Sequence, residues 1–373
     1  MKTEIIRSMH GAYRVISGKG LIASTGKLMA APGVLPRGII RGRTKVMVVA
    51  QSRVLALYGK PLLRSLAASG FKTTIHRLPD GERAKSQTEL FRLYQALLRA
   101  RFDRSDAVLA LGGGVTGDLC GFAASTYLRG LAFVNVATTL LAQVDSAVGG
   151  KTGINLPEGK NLAGTFYPAR LVLADSGVLQ TLPERDFRAS LAEVVKYGVI
   201  RNAALFRKLE KNAGKILRRD QALLAEIIHA CIRIKARVAE RDERETKGER
   251  MILNYGHTFG HAFEKAAGYK GLLHGEAVSV GMAAAGRLAV RLGLWPAAEA
   301  WRQEKLLVRL GLPVRLERTF KIQALLKAMQ HDKKRSSGKL RFVLPVRIGK
   351  VIVRQDVAPK IIGQILKDVG GKS

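Results

Sequence analysis

The run Ala107 to Leu111 passes directly into Gly112-Gly113-Gly114-Val115-Thr116-Gly117-Asp118, and no other junction in the sequence limits the possible folds as much. A strand that ends in G-x-G-x-x-G and continues as a helix belongs to a parallel α/β sheet. Its glycines let the backbone come close to a pyrophosphate, and the amides at the helix start offer it donors and positive potential. A plain tight strand-to-helix turn would use glycine too, so the motif alone leaves both open. No acidic residue stands about 20 positions on, so the ribose of a bound nucleotide would be held by other groups.

The rest of the first half has the same character. From Tyr13 to about Asp175, short β-branched or apolar runs alternate with longer amphipathic ones, as expected of layers around a largely parallel sheet. Strands are expected at Lys45 to Ala50, Lys72 to Arg77, Ala107 to Leu111, Ala132 to Ala137 and Leu171 to Ala174, with helices such as Ser52 to Ala68 and Gln87 to Arg101 between them. After Asp175 the apolar spacing turns helical, in Glu184 to Ile200, Gln221 to Arg241, Thr258 to Ala267 and Glu276 to Leu292. Lys339 to Pro345 and Gly349 to Val353 read as one small strand pair among these helices. A chain of 373 residues is long for a single core, and it is expected to form an α/β N-terminal nucleotide-binding domain, residues 1–177, and a mainly α-helical C-terminal domain, residues 178–373.

Charge narrows the partners. Lys and Arg number 63 against 29 Asp and Glu, a formal net charge of +34, which suits nucleic acid, an anionic surface or a strongly anionic small substrate. The basic residues are dispersed in short clusters, Arg37 to Lys45, Arg207-Lys208 and Lys333-Lys334-Arg335, without the interleaved aromatic residues that base stacking needs. A basic surface with an anion-binding cleft is therefore expected, and a nucleic-acid partner is not. Cys120 and Cys231 form no CxxC pair, so neither a disulfide framework nor a thiolate metal site is indicated, and a reducing cytoplasm fits. No stretch stays apolar and uncharged for the roughly 18 residues of a membrane span. Lys2, Glu4, Arg7 and His10 also interrupt the N-terminus, so a soluble, unprocessed protein is expected.

Two further clusters carry chemistry. The first is Thr138-Thr139, Asp145, Gly149-Gly150-Lys151-Thr152-Gly153-Ile154-Asn155 and Gly159-Lys160-Asn161. Its lysines either meet an anion or are solvated in a polar surface loop. Gly150-Lys151-Thr152 is only the tail of a Walker A sequence, because Asp145 stands where the first glycine belongs, so an ATP-hydrolysing loop is not expected. The second cluster is histidine-rich. His257 and His261 lie four apart in Gly-His-Thr-Phe-Gly-His and share a helix face, and His274 follows, which gathers three of the seven histidines. With a carboxylate such as Glu193, beside Lys196 in a helical stretch, neutral imidazoles would suit zinc with one position open for a substrate oxygen. Helix phase alone does not select the carboxylate. The chain has no H-E-x-x-H, so metalloprotease chemistry is not indicated.

Taken together, Gly112 to Asp118, Tyr127-Leu128-Arg129-Gly130, Thr138 to Asn155, Gly159-Lys160-Asn161, Leu182-Pro183-Glu184-Arg185, Ala192-Glu193-Val194-Val195-Lys196-Tyr197-Gly198 and Asn254-Tyr255-Gly256-His257 resemble the 3-dehydroquinate synthase family, over roughly Tyr13 to Gly349. The resemblance implies an N-terminal NAD-binding α/β domain, a C-terminal helical domain, and an active site in the cleft between them. It implies Glu193, His257 and His274 as ligands of a divalent metal, zinc first and cobalt as the alternative, with His261 left for proton transfer or hydrogen bonding. NAD would lie against Glu82, Lys85, Gly113, Gly114, Val115, Asp118, Thr138, Thr139, Lys160 and the segment Val178, Leu179, Gln180 and Thr181. Substrate would meet Asp145, Lys151, Lys160, Asn161, Lys196, Lys235, Glu245, Arg250, Asn254, His261 and Lys333, three of them, Asp145, Lys151 and Lys160, near the cofactor as well. Arg129 resembles an arginine that reaches a neighbouring subunit's site, which implies a homodimer.

The reaction that the resemblance implies converts 3-deoxy-D-arabino-heptulosonate 7-phosphate to 3-dehydroquinate and phosphate. Transient oxidation by NAD acidifies a C–H, phosphate leaves, the hydride returns, and an aldol step closes the carbocycle. Related cyclases act on sugar phosphates without the carboxylate and give valiolone-like or inosose-like products. Arg250, Asn254 and Lys333 together resemble the dehydroquinate set, and a carboxylate needs such groups. Metal-dependent polyol dehydrogenases share the fold but would release NADH at each turnover.

Overall fold

The structure, a computed structural model, describes residues 1–35, 44–335 and 340–372, and of residues 330–335 it describes the backbone only. Most of the basic cluster Arg37 to Lys45 lies outside the described residues, as do the side chains of Lys333, Lys334 and Arg335. The chain divides into two compact units, Met1–Leu182 with Leu224–Arg244, and Pro183–Leu223 with Glu245–Ser373. The single boundary expected between 177 and 178 is thus replaced by a discontinuous division, in which most of helix Gln221–Arg241 belongs with the first unit. Its apolar face (Leu224, Ile227, Ile228, Cys231, Ile232) is buried, and amphipathic spacing does not encode which surface such a face will cover.

The first unit is built on strands β1 (Lys2–Ile6), β2 (Tyr13–Gly18), β3 (Lys45–Gln51), β4 (Lys72–Leu78), β5 (Ala107–Gly112), β6 (Ala132–Ala137), β7 (Lys151–Leu156), β8 (Gly159–Phe166) and β9 (Leu171–Asp175). Seven of them form one sheet in the order β1-β2-β9-β6-β5-β3-β4, parallel except where β1 runs antiparallel to β2. Strands β5, β6 and β9 are buried at every residue, which is why they read as unbroken apolar runs rather than as alternations. The strand order reverses beside β3, with β4 on one side and β5 on the other, and such a reversal leaves a crevice at the carboxyl ends of the strands where ligands bind.

The ends of these strands are tied together from within. Buried Asp175, at the end of β9, accepts hydrogen bonds from the amides of Gly20 (2.9 Å), Ile22 (3.1 Å) and Gly177 (2.9 Å). Gln143 donates to the carbonyls of Ala137 (3.0 Å) and Asp175 (2.8 Å). The polar segment after Gly149, expected as a surface loop or anion site, folds largely into the antiparallel hairpin β7–β8. The stretch before Tyr13, for which the sequence offered no role, forms β1 and the turn that seats helix Gln221–Arg241: Arg7 and Met9 amides each donate at 2.8 Å, to Glu240 and Glu243.

The second unit is mainly helical: Glu184–Arg201, Ala203–Leu217, His257–Ala266, His274–Arg291, Ala297–Arg309, Ile322–Arg335 and Pro359–Asp368, with the expected small strand pair at Phe342–Arg347 and Lys350–Arg354. Two glycines let its central helices touch backbone to backbone. A Cβ on Gly275 would lie 1.8 Å from the Ala189 carbonyl oxygen, and one on Gly281 would lie 2.0 Å from that of Gly256. Among the described residues no helix is long and apolar enough to cross a membrane. Cys120 and Cys231 are both buried and form no disulfide, and burial pushes the Cys120 thiol well above its ordinary pKa. A thiol reagent is accordingly expected to label neither cysteine in the folded protein and both after denaturation; rapid native labelling of either would contradict that burial.

Candidate functional site

In the first unit the glycine turn at the end of β5 is shaped by close packing. A Cβ on Gly113 would come within 2.9 Å of Thr139 Cγ2, one on Gly114 within 2.9 Å of Ser146 Oγ, and one on Gly117 within 2.8 Å of Asn135 Nδ2. Helix Gly114–Thr126, which includes Val115 and Asp118, can therefore begin directly against β6 and the turn that follows it. In that turn the Thr138 amide donates to the Gly112 carbonyl at 2.9 Å, and Thr139 Oγ1 accepts the Ala142 amide at 3.2 Å. The next five residues, Ala142–Ser146, widen into a π turn that presents Asp145 to Lys235 Nζ at 2.6 Å. Val178 and Leu179 are buried in the short turn Ser176–Thr181, while Gln180 and Thr181 are exposed; Tyr58 donates its hydroxyl to the Val178 carbonyl at 2.9 Å.

Lys85 is 5 % exposed, and its ammonium bonds both the Asp118 carboxylate and Asn161 Oδ1. Burial raises the Asp118 carboxyl above its usual range, and Lys85 opposes that shift. Lys151 begins β7, and Lys160 and Asn161 lie on β8. Beside them an open cavity of ≈ 480 Å³ is lined by Glu82, Lys85, Ser86, Thr88, Asn155 and Leu156, among others. Arg129 is exposed, and it and Leu128 adopt the left-handed conformation, with φ of 65° and 49°.

In the second unit three residues distant in sequence converge. Glu193, fully buried on helix Glu184–Arg201, directs Oε1 toward His257 Nε2 at 3.4 Å and His274 Nε2 at 3.7 Å. Its other oxygen pairs with buried Lys196, which supplies the counter-charge that a buried carboxylate requires. A tetrahedral ion with ligands at about 2.1 Å holds them about 3.4 Å apart. The three candidate ligand atoms, all within 4.8 Å of one another, fit that requirement. The far nitrogens fit it too: His257 Nδ1 is 3.1 Å from the Tyr255 carbonyl and His274 Nδ1 is 3.3 Å from Glu264 Oε2. With a metal bound, each partner would fix the tautomer that turns the Nε2 lone pair inward. His261 completes the cluster, with its ring centroid 5.4 Å from that of His257 and 6.3 Å from that of His274.

The two rings titrate in opposite directions. Burial pushes His257 down to about 3, so it is neutral and ready to bind metal. Burial opposes protonation of His274 as well, but hydrogen bonds to Glu193 and Glu264 lift it to about 10. A metal must therefore displace the His274 proton, and between roughly pH 6 and 9 metal affinity is expected to rise by about tenfold per pH unit. Its side chain is 34 % exposed, so water screens part of the pairing and the slope, rather than the midpoint, is the quantity to measure, by competition titration with a chelating dye. A flat profile would mean that His274 carries no proton in the metal-free protein.

The remaining candidates of this unit lie nearby in sequence. Arg250 is 3 % exposed and pairs through Nε with Glu245 Oε1 at 3.3 Å, and exposed Asn254 closes the turn Glu249–Asn254. Lys333 lies on helix Ile322–Arg335, with its side chain outside the described residues. One residue that sequence reasoning did not single out, Glu264, completes the geometry. Glu264 stands seven residues after His257, on the same helix face, and that spacing could have revealed it.

Comparison with known proteins adds independent information. The family models 3-dehydroquinate synthase N-terminal and 3-dehydroquinate synthase C-terminal match residues 75–189 and 190–335. A 3-dehydroquinate synthase of Gloeobacter violaceus is 47% identical over 360 residues, 96% of this chain and 97% of the relative. A solved 2-epi-5-epi-valiolone synthase from Streptomyces hygroscopicus subsp. jinggangensis, with NAD+ and Zn2+ bound, superposes with a TM-score of 0.86 at 30% identity, covering 96% of each chain. A 2-deoxy-scyllo-inosose synthase complexed with carbaglucose-6-phosphate, NAD+ and Co2+ superposes with a TM-score of 0.85 at 27% identity, covering 99% of this chain and 100% of that one.

Proposed function

The chain belongs to the 3-dehydroquinate synthase family, and from that premise we propose that it converts 3-deoxy-D-arabino-heptulosonate 7-phosphate to 3-dehydroquinate and phosphate, as a cytoplasmic homodimer using NAD and one divalent ion, zinc or alternatively cobalt. The observation that carries the proposal is the inward-facing set of Glu193 Oε1, His257 Nε2 and His274 Nε2, each imidazole held by a partner on its other nitrogen. When bound, the ion would polarise the substrate oxygen it holds, and NAD would accept a hydride and return it within the same turnover.

The protein's own groups then have separate tasks. Glu193, His257 and His274 would hold the ion. Gly113, Gly114, Val115, Asp118, Thr138, Thr139 and the turn Val178 to Thr181 would hold the dinucleotide, with Glu82, Lys85, Asp145, Lys151 and Lys160 toward its polar groups. Arg250, Asn254 and Lys333 would bind the substrate carboxylate, and the further cations Lys196 and Lys235 with Asn161 would complete its anionic surroundings; Arg250 is kept in place by Glu245. His261 would exchange a proton with substrate at a ring nitrogen, and Arg129 would reach the site of a second subunit. The charge of +34 would then serve an anionic substrate.

Phosphate release from 3-deoxy-D-arabino-heptulosonate 7-phosphate, measured with and without NAD and a chelator alongside product identification, tests the proposal. Release that needs NAD, is lost with the chelator and yields 3-dehydroquinate supports it. The two solved structures above favour a second possibility, a cyclase for sugar phosphates that lack the carboxylate. Turnover of those substrates and not of the heptulosonate would establish that alternative, whereas steady accumulation of NADH would mark a polyol dehydrogenase.

A further inference from the structure

We propose that Asn155 is a positioning residue for the nucleotide half of the site: it locks the Gly81-to-Lys85 loop onto the β7–β8 hairpin and so fixes Glu82 and Lys85 together. This rests on the dinucleotide role given above to Glu82 and Lys85. The register of the hairpin shifts between Ile154 and Leu156, so Asn155 sits at an irregularity in the ladder. A bulged residue is free to aim its groups elsewhere, and Asn155 aims three of its polar groups at candidate site residues. Its amide donates to the Lys85 carbonyl at 2.9 Å, its Nδ2 donates to Glu82 Oε1 at 2.7 Å, and its Oδ1 accepts the Asn161 amide at 3.0 Å.

Only one orientation of the side-chain amide serves both partners, because a carboxylate can only accept and a backbone N–H can only donate. The contacts also close a ring. Asn155 bonds Lys85 through the main chain, the Lys85 ammonium bonds Asn161 Oδ1, and the Asn161 amide returns to Asn155 Oδ1. Asn161 makes both of its bonds from the left-handed region, at φ 56°, which asparagine tolerates better than most residues. Asn155 lines the same ≈ 480 Å³ cavity as Glu82 and Lys85, so the wall of that cavity depends on it. Aspartate at this position would keep the acceptor and the main-chain bond but would turn a carboxylate toward Glu82; alanine would lose both side-chain bonds.

The test measures NAD affinity by calorimetry in the absence of substrate, with metal content and the urea midpoint recorded in parallel. Asn155→Ala is expected to raise the NAD Kd by about tenfold, the effect of losing a hydrogen bond to a charged group, with unchanged metal content. Asn155→Asp is expected to weaken binding at least as much, and Glu82→Gln in that background, which restores the bond with donor and acceptor exchanged, is expected to recover part of it. Hydrogen exchange of the Asn161 amide should quicken in Asn155→Ala and remain slow in Asn155→Asp, which retains its acceptor. An NAD Kd within twofold of the parent for both single variants would overturn the proposal, as would a fall in the urea midpoint with NAD affinity intact. If the parent protein itself takes up no NAD, the proposed function falls with it; loss of the proposal alone appears only in the variants.

Discussion

Replacing His257 by alanine is expected to remove the metal and abolish turnover together while leaving the fold intact. The ring is one of three groups whose donor atoms lie within 4.8 Å of one another, and its burial keeps it unprotonated, so its removal leaves two of the three ligands. Changing a residue that merely orients a ligand costs about 10–100-fold in metal affinity or activity. Glu264→Ala, which removes the partner of His274 Nδ1, should fall in that range. Loss of a ligand itself should exceed it, by more than about a hundredfold. Metal content after dialysis, read beside phosphate release and circular dichroism, separates the cases. If His257→Ala kept full metal content and turnover, the assignment of Glu193, His257 and His274 would be wrong.

That ligand set shows how far the sequence could be read. His257 and His261 announce themselves by four-residue spacing on a helix, but Glu193 lies 64 positions before His257 and meets it because both of their helices pack against helix His274–Arg291. The central strands were equally visible: Ala132–Ala137 was expected at the bounds observed, because full burial on both faces demands an apolar run. The hairpin β7–β8 was not legible as strands. Most of its residues are polar or glycine, and its burial pattern is mixed, so no period-two alternation marks it; pairing with its own other half makes it a strand. Strand β1 escaped for the same reason, as a mostly exposed edge strand carrying Lys2 and Glu4. Lys235 was the opposite case. It lies on the buried side of helix Gln221–Arg241, following Ile228, Cys231 and Ile232 at helical spacing, and a lysine on an apolar face must find an anion; here that anion is Asp145. The sequence could show that such a partner was needed but not which carboxylate would provide it.

The converging helices make Gly275→Ala the other substitution with a large expected effect, although no side chain of the site is altered. A Cβ at position 275 would lie 1.8 Å from the Ala189 carbonyl oxygen and 2.5 Å from its carbon, both backbone atoms, whereas real Cβ contacts essentially never fall below 3.0 Å. The two helices would have to separate by on the order of 1 Å, at a cost of about 1–3 kcal/mol or more in a packed core. Position 275 follows His274 directly, and Ala189 precedes Glu193 by about one helical turn, so that separation acts on the 3.7 Å approach of His274 Nε2 to Glu193 Oε1. Metal sites tolerate ligand displacements of only about 0.2 Å, and the variant is therefore expected to lose both stability and metal affinity. Gly363→Ala is the control: position 363 is inside helix Pro359–Asp368 with nothing within 4 Å of the added carbon, and there the same change should stabilise by about 0.5–1 kcal/mol. Urea midpoints and bound metal for the two variants decide the matter. A Gly275→Ala protein that matched the parent in both would show that the helices can part without moving His274, and the close backbone approach at Gly275 would then have no bearing on the metal site.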